Sequence, residues 1–208
     1  MTHPGPGELG TVVLATANPH KVAEIRAILA PFGIRCLELA AFPFAGSLPE
    51  DGATFEENAL SKARAAFAVA GIPTVGDDSG LEVDALGGLP GVHSHRLTPE
   101  GTHEANNTEL LRRLGDASDR RARFRCVVAV VTADGEAIAS GVCEGRIAQA
   151  PRGVGGFGFD PIFLPDEAPG RTMAELTTAE KNALSHRGRA FRQVPALLSR
   201  TADSARRP

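Results

Sequence analysis

Thr11-Val12-Val13-Leu14-Ala15-Thr16-Ala17-Asn18-Pro19-His20-Lys21 is the stretch on which the fold of this 208-residue chain turns. Residues 11–16 are a β-branched apolar run and read as a buried strand. Asn18-Pro19 then starts a helix, with Asn as the N-cap and Pro at the first helical position. Val22, Ile25, Ile28 and Leu29 give that helix an apolar stripe, and Pro31 to Gly33 stop it. A strand feeding directly into a helix is the grammar of an α/β protein.

The rest of the chain extends the same pattern. Residues 34–39 read as a second strand and 40–53 as a loop. Thr54-Phe55-Glu56-Glu57 is a capping box that opens a helix to about Ala70, ended by Gly71 and Pro73. Residues 74–84 read as two short strands around a polar Asp77-Asp78-Ser79-Gly80 turn. Residues 102–114 form a helix closed by Gly115. Residues 124–133 and 136–148 are strands joined by Asp134-Gly135, a hairpin signal. A glycine-rich loop spans 151–161. Thr177-Thr178-Ala179-Glu180 is a further capping box, opening a helix that continues to about Leu198. The expectation is an α/β protein with a mixed sheet flanked by helices. Its boundaries read as a disordered lead-in over 1–10, one domain over 11–200 and a frayed tail over 201–208.

Composition narrows the function. Hydrophobic residues are 42% and charged residues 23%, which excludes global disorder. The net charge of -3 provides no basic field for nucleic acid. No apolar run approaches the roughly 18 residues of a membrane span. Residues 1–10 lack the basic and apolar regions of a signal peptide. Cys36, Cys126 and Cys143 form no CxxC and read as reduced thiols, so a cytoplasmic protein is expected. Of the 22 basic residues only three are lysine, Lys21, Lys62 and Lys181, and 19 are arginine. Those lysines are candidates for work that suits a compact charge with three donors, such as holding a phosphate.

Four segments carry chemistry. Thr16, Asn18 and Lys21 sit where a strand meets a helix N-terminus, a ready anion site. Asn18 can equally be a plain cap there. Carboxylates at Glu50-Asp51 and Asp77-Asp78 suit Mg²⁺, a hard cation that needs few protein ligands. Gly153-Val154-Gly155-Gly156-Phe157-Gly158-Phe159-Asp160 contains GxGxxG, but an apolar strand follows rather than a helix, which rejects a dinucleotide fingerprint. Phe157 and Phe159 can stack on a nucleobase, or pack into the core. Lys181 and Ser185 lie four residues apart on one helix face. Ser185 and His186 are adjacent there and diverge by about 100°, and no nucleophile elbow exists, so a serine hydrolase is rejected. His93-Ser94-His95 lacks a third ligand at zinc spacing. Residues 120–123, rich in Arg, read as a solvated surface.

Taken together, the chain resembles the inosine/xanthosine triphosphate pyrophosphatases. The resemblance rests on LATANPHKVAEI (14–25), EDGATFEENALSKA (50–63), GDDSGLEVDALGGLPGVHSHR (76–96), GGFGFDPIF (155–163) and TMAELTTAEKNALSHRGRA (172–190). It spans about residues 12–198. It implies an elongated mixed sheet in two lobes with a substrate cleft between them, and usually a homodimer. It implies hydrolysis of deaminated purine nucleoside triphosphates (ITP, dITP, XTP) to the monophosphate and pyrophosphate with Mg²⁺. By resemblance Thr16, Ala17, Asn18 and Lys21 bind phosphate, and Glu50 and Asp78 bind Mg²⁺. Asp78 is also the general base, assisted by Lys21, and Ser79 is a substrate contact. Phe157, Gly158, Phe159, Asp160, Lys181, His186 and Arg187 match substrate and base contacts. Phe159 stands where many relatives carry Tyr. A related enzyme acting on other modified nucleotides, and a nucleotide-binding regulator without catalysis, are the alternatives.

Overall fold

The computed structural model describes residues 10–44 and 46–204. The expected lead-in, apart from Gly10, and the last four residues of the expected tail therefore lie outside the described residues. Six strands form one mixed sheet in the order β2-β1-β3-β4-β5-β6. They are β1 (Thr11–Ala15), β2 (Arg35–Glu38), β3 (Thr74–Val83), β4 (Arg121–Thr132), β5 (Gly135–Ile147) and β6 (Phe163–Pro165). The helices are α1 (Pro19–Leu29), α2 (Phe55–Ala70), α3 (His103–Leu114), α4 (Thr178–Leu184), α5 (His186–Phe191) and α6 (Val194–Ser204). Strand β1 pairs in parallel with both β2 and β3, whereas β5 and β6 are antiparallel.

The described residues divide into two compact units. The first holds residues up to Asp78, Val127–Ser140 and residues from Gly188 onward; the second holds Ser79–Cys126 and Gly141–Arg187. In the first unit, β1-α1-β2 and β2-α2-β3 are successive parallel crossovers that travel in opposite directions along the sheet. Right-handed connection then puts α1 and α2 on opposite faces. Helix α1 begins as the sequence predicts: Asn18 Oδ1 accepts from the N–H of His20 at 2.9 Å and of Lys21 at 3.2 Å. Helix α2 begins with the predicted capping box. Thr54 Oγ1 accepts from Glu57 N at 3.1 Å, and Glu57 Oε2 accepts from Thr54 N at 3.2 Å. Val13, Ala15, Leu39 and Ala66 form a buried core cluster within this unit.

The second unit has its own core, in which Leu81, Val83, Leu110, Phe124, Ile162 and Phe163 are central. The rings of Phe124 and Phe163 meet at 4.7 Å. Helix α3 contributes Leu110 and Leu114 to this core and is capped by Thr102, whose Oγ1 accepts from Ala105 N at 3.2 Å.

Four readings of the sequence are corrected. Residues 74–83 are one uninterrupted strand rather than two strands around a turn. Asp-Asp-Ser-Gly folds as a turn when its carboxylates need water; here buried cations meet them instead. The helix expected from Thr178 to Leu198 is broken into α4, α5 and α6, because Ser185 takes an extended conformation (φ -67°, ψ 156°). Residues 201–204, expected as tail, are the last turn of α6. The arginines of 120–123 are not merely solvated. Arg120 donates to the carbonyls of Ile147 and Ala148 at 2.9 Å each, and Arg123 is held by Asp84 and Glu144.

Gly76 fixes how closely β3 lies against α2. A Cβ there would stand 2.5 Å from the Ala59 carbonyl oxygen and 2.8 Å from Ala63 N. Both are backbone atoms that cannot rotate away, so Gly76→Ala must push α2 off the strand. Overpacking of this kind costs about 1–3 kcal/mol. Thermal melts followed by circular dichroism should show a Tm several degrees lower for Gly76→Ala; an unchanged Tm would contradict the close packing.

Candidate active site

Consecutive strand residues point to opposite faces of a sheet. Asp77 and Asp78 on β3 therefore face opposite ways, although both are buried at 2% and 8% exposure. A buried carboxylate is costly unless paired. Each meets a lysine from the helix on its own face. Lys21, one turn into α1, donates to Asp77 Oδ2 at 3.0 Å. Lys62, in the middle of α2, donates to Asp78 Oδ1 at 2.8 Å.

Lys62 also donates to Glu50 Oε1 at 2.9 Å, so one ammonium gathers two carboxylates. Burial works to lower the Lys62 pKa, but the charges of Asp77 and Asp78 and the bonds to Asp78 and Glu50 outweigh it. The net shift is upward, and Lys62 stays charged. The other oxygen of Asp78 accepts from Asn58 Nδ2 at 3.1 Å. Asn58 Oδ1 in turn accepts from Gly52 N at 2.8 Å, which ties the loop carrying Glu50 to the start of α2. A Cβ at Gly52 would sit 2.7 Å from that same Oδ1, so only glycine allows the approach. Asn58 and Lys62 are four residues apart on one helix face. The scarcity of lysine points to Lys62 as a phosphate candidate, and here its ammonium holds two carboxylates instead. Asp77 is among the carboxylates expected to suit Mg²⁺ and is paired with Lys21. Asn58 carries no signal in the sequence.

At the turn from β1 to α1, the side chains expected to bind an anion make local hydrogen bonds. Asn18 Oδ1 is engaged by two backbone N–H groups as a cap, and Thr16 Oγ1 accepts from Asn18 N at 3.2 Å. Thr16 and Asn18 are half-buried and Ala17 is exposed at this turn. The Lys21 ammonium is bound to Asp77, and its side chain keeps 16% exposure.

The second unit holds the remaining residues. The loop 153–160 folds back on itself around Asp160, which is 2% exposed. Asp160 Oδ2 accepts from Phe157 N at 2.7 Å and from Lys181 Nζ at 2.5 Å. Gly156 permits this: its φ is +71°, and a Cβ there would lie 2.0 Å from Asp160 Oδ2. Lys181 is presented by α4, whose capping box depends on Glu180. Bonds from Thr177, the backbone N–H first, hold the Glu180 carboxyl at about 2. The cap is thus intact above the ordinary carboxylate range and is lost only as pH falls toward 2.

Phe157 is half-buried. Its ring lies 4.8 Å from Lys181 Nζ and 5.5 Å from Arg187 Cζ, a cation–π arrangement. Phe159 is instead 4% exposed and belongs to the core. Of the two rings expected to meet a base, Phe159 is closed into the core and Phe157 keeps partial exposure. The break at Ser185 turns His186 onto Phe124, where the rings stack at 4.6 Å and 12°. It also buries Arg187, whose Nη2 makes a long 3.4 Å bond to Ser79 Oγ. His93 and His95 are exposed, and among the described residues no group of three or more His, Cys, Asp or Glu side chains is arranged to hold a metal.

All three lysines of the chain are thus bound to buried aspartates. Lys21 pairs with Asp77, Lys62 with Asp78 and Lys181 with Asp160.

Comparison with known proteins shows the family. A sequence profile of the Ham1 family matches residues 12–197. The chain is 50% identical over 197 residues to the dITP/XTP pyrophosphatase of Mycolicibacterium paratuberculosis, covering 91% of this chain and 96% of that one. It is also 50% identical over 194 residues to the dITP/XTP pyrophosphatase of Symbiobacterium thermophilum, covering 90% and 96%. The solved structure of a HAM1 protein from Coxiella burnetii matches with a TM-score of 0.81 at 41% identity, over 91% of this chain and 98% of that one. With identity of this order along nearly its whole length, the chain belongs to the Ham1 family.

Proposed function

We propose that this protein hydrolyses ITP, dITP and XTP to the nucleoside monophosphate and pyrophosphate, clearing deaminated purines from the nucleotide pool. The observation that carries this reading is the convergence of Glu50 and Asp78 on Lys62 Nζ, at 2.9 and 2.8 Å. It sets two carboxylates and a cation together at the middle of a buried strand. The names of the relatives, dITP/XTP pyrophosphatase, support the substrate class.

The donor set fits Mg²⁺. Both candidate ligands are carboxylates brought to one point, and Glu50 keeps 43% side-chain exposure, open to solvent and substrate. Magnesium is held by one or two carboxylates plus substrate phosphates rather than by an all-protein cage. Glu50 and Asp78 are the residues that would hold it, and the ion would supply charge neutralisation to the phosphates under attack. The chain's own residues do the remaining work. Lys62 and Asn58 fix both oxygens of Asp78, so that the carboxylate can orient and deprotonate the attacking water. Lys21, with Thr16 and Asn18 beside it, offers donors for phosphate oxygens. In the second unit Phe157 offers a π face to the base, flanked by Lys181 and Arg187. Arg187 donates only, so a 6-keto group is accepted, whereas the amino group of adenine presents a donor to a donor.

Cys36, Cys126 and Cys143 form no CxxC pair, which supports a reducing, cytoplasmic setting. No helix of the described residues is long and apolar enough to cross a membrane. The homodimer is carried by the family resemblance, and sedimentation of the purified chain tests it.

Two experiments test the proposal. Product analysis with ITP, XTP, GTP and ATP should give fast, Mg²⁺-dependent pyrophosphate release from the first two and little from the others. Orthophosphate release would move the attack to the terminal phosphorus and overturn the mechanism. Asp78→Asn should fold and still bind ITP, while kcat falls by about 10²–10⁴, the usual contribution of a general base. A kcat within a fewfold of the parent would remove Asp78 from the chemistry.

A further inference from the structure

Helix α3 carries a buried stripe whose composition changes along its length. Leu110 and Leu114 are 0% and 4% exposed, and the same face continues one turn earlier as Asn106 and Asn107, at 4% and 6%. These are positions a core-facing helix fills with apolar side chains. Asn106 is accounted for by local structure. Its Oδ1 accepts from Thr98 N and Thr98 Oγ1 at 3.0 and 2.9 Å, and its Nδ2 donates to the His95 carbonyl at 3.2 Å.

Asn107 is different. Its Nδ2 donates to the carbonyl of Gly158 at 3.1 Å. Its Oδ1 is buried and has no hydrogen-bond partner among the described residues. One neutral hydrogen bond stabilises only modestly, and a buried acceptor left unpaired costs at least as much as such a bond contributes. For stability alone, an apolar residue would serve as well or better. The function of Asn107 therefore lies in what it holds.

What it holds is the peptide that follows Phe157. On one side of Phe157, its own N–H is bound to Asp160 at 2.7 Å. On the other, Gly158, with φ +64°, is pinned through its carbonyl by Asn107. His103, one turn before Asn107 on α3, also meets the Phe157 ring, with centroids 6.2 Å apart. We propose that Asn107 is a positioning residue for base recognition: by anchoring the Gly158 carbonyl it fixes the Phe157 ring relative to Lys181 and Arg187. Stacking alone accepts any base, so discrimination depends on where the ring places the 6-position against its donors. The inference rests on the nucleotide reading given above.

Asn107→Ala and Asn107→Asp test it. The first removes the orphaned acceptor along with the donor, so it should fold with an unchanged or higher Tm. The second keeps the shape and replaces the donor by a carboxylate oxygen, whose buried charge lowers its Tm without bearing on the test. Both should raise KM for ITP about tenfold, the value of one hydrogen bond at about 1.4 kcal/mol, with kcat changed less than threefold. The ratio of kcat/KM between ITP and ATP should fall by a similar factor. A lower Tm for Asn107→Ala with kcat reduced equally on every nucleotide would mark Asn107 as structural and overturn the inference. So would parent-like KM and selectivity in whichever variant folds. A parent protein without preference for ITP over ATP would overturn the proposed function itself, and the inference with it.

Discussion

Two adjacent aspartates in a buried strand cannot both be hydrogen-bonded from one side, because the strand sends them to opposite faces. Each must be met by a cation delivered from its own side of the sheet, or the strand cannot be buried. Much of the first unit follows from this constraint. The parallel order β2-β1-β3 requires crossovers in opposite directions, and their common hand places α1 and α2 on the two faces. Each helix carries a lysine at the height of its aspartate, Lys21 for Asp77 and Lys62 for Asp78. Gly76 lets α2 lie close enough against β3 for Lys62 to reach. Breaking one partner out of such a buried pair costs about 3–5 kcal/mol, so the arrangement is stiff as well as charged.

The second unit uses the same device with different parts. Asp160 lies in a loop rather than a strand, and Lys181 comes from a short capped helix. The carboxylate binds both the lysine and a backbone N–H, so it shapes the loop that displays Phe157. Compact ammonium groups suit this task, since each bonds carboxylates within a closed space that a planar guanidinium would overfill. Arginines such as Arg64 and Arg125 instead form exposed or half-buried pairs, with Glu136 and Glu82.

Features with local causes were legible in the sequence. The Asn18-Pro19 start of α1, the capping boxes at Thr54 and Thr177 and the turn between β4 and β5 each depend on a few neighbouring residues, and each stands where expected. The lysine count drew attention to three residues, and all three prove to be bound to buried aspartates. What was misread depended on distant partners. Asp77-Asp78-Ser79-Gly80 looks like a turn until lysines from two other elements neutralise it. Phe159 looks like a base contact until the core closes over it. The helix break at Ser185 has no proline or glycine to announce it; burial of His186 against Phe124 and of Arg187 accompanies it. Asn58 and Asn107 resemble ordinary helix residues, and only their partners across the fold reveal their work.

The central claim is that Lys62 and Asp78 act as one unit. A double-mutant cycle on kcat/KM for ITP, with Lys62→Met, Asp78→Asn and both together, measures it. The double variant removes both buried charges at once, so neither is left unpaired and the fold is kept. The account predicts strong non-additivity, with the double variant no slower than the slower single variant. Losses that multiply in the double variant would show two independent residues and contradict it.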